Sequence, residues 1–110
     1  TLADNIKVFE QGNDIVVGTS ATVVSTFNKV TTRSAKYVVT VENNGEFETR
    51  ECLVIHDGTS AFITEYGIIF TGSDLLGDTD VQVTGSSVEL LYTAVDAGAV
   101  VSVSVTYIDA

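Results

Sequence analysis

From Ala99 to Ile108 the chain alternates cleanly. Ala99, Val101, Val103, Val105 and Tyr107 fall on one side, and Ser102, Ser104 and Thr106 on the other. A period of two is the mark of a β-strand with one buried face. Ala21–Phe27, Val81–Thr84 and Ser87–Thr93 are shorter runs rich in β-branched residues and read the same way. Ile6–Phe9 and Ile15–Val17, split by the turn-forming cluster Gln11-Gly12-Asn13-Asp14, read as a small N-terminal hairpin. Two polar stretches, 28–33 and 72–80, read as loops, the second being the longest. Apolar residues nowhere recur at helical spacing over about a dozen positions.

The middle of the chain, Ser34–Tyr66, reads as a three-stranded meander, and Gly67–Thr71 as a short strand after it. Asn43-Asn44-Gly45 fits a three-residue loop with Gly at the position needing positive φ. That register puts Ala35, Tyr37, Val39 and Val41 on one face with Phe47, Thr49, Leu53 and Ile55, which are then the core side. The second turn, Asp57-Gly58, fits a two-residue hairpin. Counting back from it pairs Leu53 with Phe62 on the core face and Arg50 with Glu65 on the other.

Short strands at regular spacing with turns between them predict an all-β protein. The expected build is an antiparallel β-sandwich, or a partly open barrel, of about eight to nine short strands in a single domain over residues 1–110. A hydrophobic content of 45% suits a real core. The chain opens on Thr1 with no Met, which fits either removal of an initiator Met or a segment of a longer protein. It has no apolar run long enough for a bilayer-spanning helix and no signal-peptide pattern, so no membrane partner is expected.

Charge narrows the partners further. Five Lys and Arg face 15 Asp and Glu, a net charge of -10. Such a surface repels nucleic acid, whose binding needs basic residues against phosphates. The basic cluster Lys29, Arg33 and Lys36 is too small to offset this.

Candidate chemistry is thin. His56-Asp57-Gly58-Thr59-Ser60 holds His, Asp and Ser, but on one hairpin tip, whereas a triad converges from separate elements. Cys52, the single cysteine, sits mid-strand as a small hydrophobe without a basic partner. Asp74, Asp78 and Asp80 lie together in the long polar stretch beside Gly77 and are candidate oxygen ligands for Ca²⁺, although their spacing is not that of an EF-hand. Asp4, Asn13 and Asp14 form a weaker cluster of the same kind. The acidic loop is expected to be mobile and metal-free. Of Tyr37, Tyr66, Tyr92 and Tyr107, three fall on core positions, so packing explains them better than a sugar-stacking platform. No catalytic residue, cofactor or bound metal is expected.

In the same register Val38, Cys52, Val54, Ala61 and Ile63 fall on the face turned away from the core. A contiguous apolar patch on a sheet's outer face marks a contact surface. The expectation is therefore a homo-oligomer with closed cyclic symmetry, threefold or fivefold if it sits on a particle with such axes.

The pieces SAKY, LVIHDGTSAF, TEYG and VELLYT, spread over residues 33–108, resemble a β-rich domain of structural proteins of tailed bacteriophages, cyanophages especially. Residues 1–32 carry none of the likeness. The resemblance implies a non-enzymatic virion structural protein, a capsid decoration or other surface protein, whose partners are other virion proteins and itself. It transfers no site residue. The alternative is a carbohydrate- or cell-surface-binding module, such as a calcium-dependent one of a tail fibre, suggested by the Asp74–Asp80 stretch.

Overall fold

The computed structural model describes the backbone from residue 6 to 110 and side chains from residue 15. Within that span the chain is strand, turn and bend, with no helix. Eight strands run in order: β1 (Ile6–Val17), β2 (Thr22–Asn28), β3 (Thr32–Asn43), β4 (Glu46–His56), β5 (Ala61–Phe70), β6 (Gly77–Thr84), β7 (Ser87–Ala94) and β8 (Ala99–Asp109). They form two antiparallel sheets, β1-β8-β3-β4-β5 and β2-β7-β6. This is the expected sandwich, and it does not close into a barrel.

The alternation read along β8 holds: Ala99, Val101, Val103, Val105 and Tyr107 are buried. They meet Ala35, Tyr37, Val39 and Val41 of β3 and, from the smaller sheet, Val24, Phe27, Val88, Leu90 and Tyr92. Each such side chain taken fully from water contributes about 1.5–3 kcal/mol, so this interleaved layer is what holds the two sheets together.

The expected N-terminal hairpin is instead one strand. β1 pairs with β8 along its length, with an irregularity between Gln11 and Ile15 where the turn cluster falls. A bulge absorbs those residues without reversing the chain. The end of the long polar stretch also proves to be strand, since β6 begins at Gly77 and includes Asp78 and Asp80.

The larger correction concerns the meander. β3 and β4 close through a two-residue turn, with Asn43 opposite Glu46 and positive φ at Asn44 (51°) and Gly45 (78°). Two left-handed residues match the right-handed twist of the flanking strands. The three-residue loop read from the sequence is one residue too long, and a one-residue slip sends every side chain to the other face. Glu48, Arg50, Cys52 and Val54 are therefore buried, whereas Phe47, Leu53 and Ile55 are exposed.

At the second hairpin His56 faces Ala61 and residues 57–60 form a four-residue loop. The Asp57 carboxylate accepts the amides of Thr59 (2.9 Å) and Ser60 (2.8 Å). That bonding favours the longer loop over the expected two-residue turn. Leu53 pairs with Thr64, Ile55 with Phe62 and Cys52 with Glu65. The shift of two keeps Leu53 and Phe62 on one face and Arg50 and Glu65 on the other, but that first face is the outer one. A further bulge lies between Thr49 and Glu51, where β5 carries Gly67 at φ 61°.

Candidate functional site

The strand slip brings a charged cluster into the sandwich at the side where β5 and β6 approach. Arg50 and Glu48 have no exposed side-chain surface. One Arg50 terminal nitrogen donates to Glu48 Oε1 (2.8 Å) and to the Gly77 carbonyl (2.7 Å), and the other donates to Glu65 (2.5 Å). Asp78 lies 3.7 Å from the latter nitrogen. Glu48 also accepts the Tyr92 hydroxyl (3.0 Å) and the Leu76 amide (2.8 Å). The Arg50 guanidinium stands 6.0 Å from the centre of the Tyr92 ring. Burial works against the charge on Arg50, but the bonds and charges of Glu48 and Glu65 more than reverse it, so its pKa rises. Burial and the neighbouring Glu48 carboxylate push the Tyr92 phenol well up.

Gly77 makes this approach possible. A Cβ there would lie 2.3 Å from the Thr93 carbonyl oxygen and 2.6 Å from the Tyr92 ring. Without a side chain, β6 can offer its first carbonyl to Arg50. Outside the cluster lies an open groove of about 620 Å³ lined by Glu65, Asp78, Thr79, Asp80 and Thr93 among others. Its charge is acidic, and its one cation is already committed below it. The cluster bridges β4, β5, β6 and β7, and it locks the two sheets rather than presenting a reactive group.

Asp74 belongs to the segment between β5 and β6, whereas Asp78 and Asp80 project from the exposed side of β6. Asp78 leans to Arg50 and Asp80 accepts the Val81 amide (2.8 Å). Among the described residues no three His, Cys, Asp or Glu side chains gather as a metal would require. The cluster Asp4, Asn13 and Asp14 lies outside the described side chains.

His56, Asp57 and Ser60 do not converge. His56 is buried; its Nε2 lies 2.6 Å from the Thr32 carbonyl and its Nδ1 accepts the Gly58 amide (3.0 Å). This bonding assigns the proton to Nε2. Asp57 shapes the loop through the backbone bonds that also lower its pKa. Lys29 and Arg33 donate to the carbonyls of Gly58 (2.7 Å) and His56 (3.0 Å), so the small basic cluster fastens this hairpin. Cys52 is a buried thiol with its pKa raised by desolvation, 3.7 Å from the Thr79 hydroxyl.

The expected contact patch is not one surface. Cys52 and Val54 lie in the core, Ala61 and Ile63 pack against it, and Val38 projects from the opposite face. The turn length is the cause. The outer face of β4 and β5 instead carries Phe47, Leu53, Ile55, Phe62, Tyr66 and Ile69, all exposed. Sequence reasoning missed Glu48 and Tyr92 as partners of Arg50. Glu48 and Arg50, opposite charges two apart in an otherwise apolar strand face, were the available signal.

No protein-family model matches the chain, and no curated protein does. Among solved structures the fold is similar to the Acinetobacter phage vB_ApiP_P1 tailspike protein, with a TM-score of 0.52 at 20% identity, over 96% of this chain and 21% of that one. The Acinetobacter baumannii phage AM24 tailspike protein aligns over 94% of this chain and 25% of its own, at 9% identity and a TM-score of 0.46, a likeness too slight to carry an argument. This chain therefore spans about a quarter or less of the length of either. The first is a protein of an Acinetobacter phage, and the cyanophage character suggested by the sequence gains no support.

Proposed function

We propose that this chain is a non-enzymatic structural module of a bacteriophage virion, displayed on the particle and belonging to its tail rather than decorating its capsid. The observation that carries this reading is the shared sandwich with a phage tailspike over nearly the whole chain. The distribution of polar groups agrees with it. Arg50, Glu48, Tyr92 and His56 are each consumed in internal bonds that hold the sheets and the hairpin together. A surface of net charge -10 suits a soluble, exposed component.

The test is mass spectrometry and immunogold labelling of purified particles of the phage that encodes the chain. Peptides from this sequence, with gold at the tail, are the expected result. Particles lacking the chain would overturn the virion reading, and gold spread over the capsid would restore the decoration reading. Hydrolysis of host polysaccharide by the purified chain would overturn its non-enzymatic character.

A further inference from the structure

The two hairpin turns of the larger sheet each contain a side-chain carbonyl followed by glycine, Asn44-Gly45 and Asp57-Gly58. Both pairs are open to one reaction, attack of the glycine nitrogen on the preceding side-chain carbonyl, because glycine has no Cβ to crowd its nitrogen. Their surroundings differ. At the second turn the nitrogen is engaged, since the Gly58 amide donates to His56 Nδ1 (3.0 Å). The carbonyl carbon is held as well, because the Asp57 carboxylate accepts the Thr59 and Ser60 amides (2.9 and 2.8 Å).

At the first turn neither group is held. Asn44 and Gly45 are exposed, and a Cβ added to Gly45 would have nothing within 4 Å. The ladder closes between Asn43 and Glu46 and leaves both turn residues outside it. Neither makes a hydrogen bond to another described residue. The other asparagines with described side chains are restrained. Asn43 is buried and donates to the Asp96 carbonyl (3.0 Å), and Asn28 Oδ1 accepts the Val30 amide (2.7 Å). Neither precedes a glycine.

We propose that Asn44 is a site of spontaneous deamidation in the folded chain, with water as the co-reactant, and that its isoaspartate product loosens the β3–β4 turn. The Gly45 nitrogen gives up its proton and bonds to Asn44 Cγ. Nδ2 takes a proton and leaves as ammonia, and a succinimide ring remains. Water then opens the ring at either carbonyl. Attack at Cγ breaks its bond to the Gly45 nitrogen and leaves an ordinary aspartate. Attack at the main-chain carbonyl breaks the original peptide bond instead, so the chain runs on through Cβ and Cγ as isoaspartate. Ring closure needs the Asn44 side chain and the Gly45 nitrogen to turn toward each other, a local opening that nothing packed around this exposed turn obstructs.

The two products differ at the place where the fold is decided. Aspartate adds one negative charge to a chain of net charge -10 and keeps the turn at two residues. Isoaspartate adds a carbon to the main chain inside the turn whose length fixes which face of β4 is buried. It also disturbs the pair of left-handed residues that matches the twist of β3 and β4. The strain falls first on the closing pair, Asn43 and Glu46, and on the bond from Asn43 to the Asp96 carbonyl.

Ageing the folded full chain in mildly alkaline buffer, with tryptic mass mapping against a zero-time digest, tests the site. Cleavage after Lys36 and Arg50 isolates residues 37–50, which hold Asn44. The expected products are two peptides about 1 Da heavier, separated by chromatography as aspartate and isoaspartate and assigned to Asn44 by fragmentation. A turn that opens at little cost should react within roughly tenfold of the rate of a synthetic 37–50 peptide aged beside it. Asn28 and Asn43 should stay intact over the same interval. An Asn44→Gln chain, whose longer side chain closes the ring poorly, should leave this peptide unchanged. The isoaspartate fraction should melt at a lower temperature than fresh chain, whereas an Asn44→Asp chain should melt with it. A folded chain slower than that bound, reaction at Asn28 or Asn43 ahead of Asn44, or an isoaspartate fraction melting with fresh chain would overturn the proposal.

Discussion

At the scale of single residues, Arg50 is the position on which most depends. A buried ion pair is rarely a large net source of stability, because desolvating two charges offsets their attraction. Removing one partner is a different matter, since it leaves the other charge buried and alone. Arg50→Ala should therefore lower the free energy of unfolding by about 3–5 kcal/mol, measured by chemical denaturation. Pairing Arg50→Met with Glu48→Gln removes both charges and keeps an acceptor for Tyr92, so it should recover more than half of that loss. A loss below ~1 kcal/mol for Arg50→Ala would mean that Glu48 reaches water when the guanidinium is gone. Cys52, with its thiol pushed up by burial, should resist alkylation in the folded chain and react on unfolding; labelling with iodoacetamide before and after denaturant checks this. The sequence disclosed that Arg50 and Glu65 share a face, because parity survives an error of two. It did not disclose that the face is buried, because that depends on parity across the preceding turn.

The turns are where legibility failed among the elements, and the reason is specific. Strands β2, β7 and β8 were readable because alternation or β-branched runs mark them internally. β4 has apolar residues on both faces, Cys52 and Val54 inside and Leu53 and Ile55 outside, so its own pattern cannot say which side is buried. Only the length of the Asn44-Gly45 turn decides it. The same turn predicts a measurable cost. Gly45→Ala places a Cβ in the left-handed region with open space around it and should cost about 1 kcal/mol. Gly77→Ala should cost more, about 1–3 kcal/mol, because its Cβ meets a backbone carbonyl that cannot swing aside. Thermal denaturation of the two variants should rank them in that order. The reverse order would show that β6 can slide away from Tyr92.

Over the whole molecule, class and topology-neutral features came through: no helix within the described span, a sandwich, and the Val and Tyr core positions of β3 and β8. The partition into five and three strands did not, since nothing in one strand's pattern says which neighbour it joins. The Tyr-rich core carries a pH dependence whose sign can be worked out. Burial raises the pKa of Tyr37, Tyr92 and Tyr107, with the Glu48 carboxylate adding to the shift at Tyr92. An unfolded phenol ionises near pH 10. A folded-state pKa above that value means stability that is fully present below about pH 10 and lost as pH rises further, because the unfolded state sheds its protons first. In a Tyr66→Phe variant only these three phenols remain. Raising the pH should then bring the tyrosinate absorbance and the loss of β circular dichroism together, in one transition above about pH 10. Tyrosinate forming while the β signal stays intact would mean that a phenol reaches solvent without opening the sandwich. At Tyr92 burial chiefly opposes ionisation and Glu48 adds to it, because the anion would sit beside a buried carboxylate. Glu48→Gln in the same Tyr66→Phe background should therefore lower the threshold at which tyrosinate appears, and an unchanged threshold would place the resistance in desolvation alone.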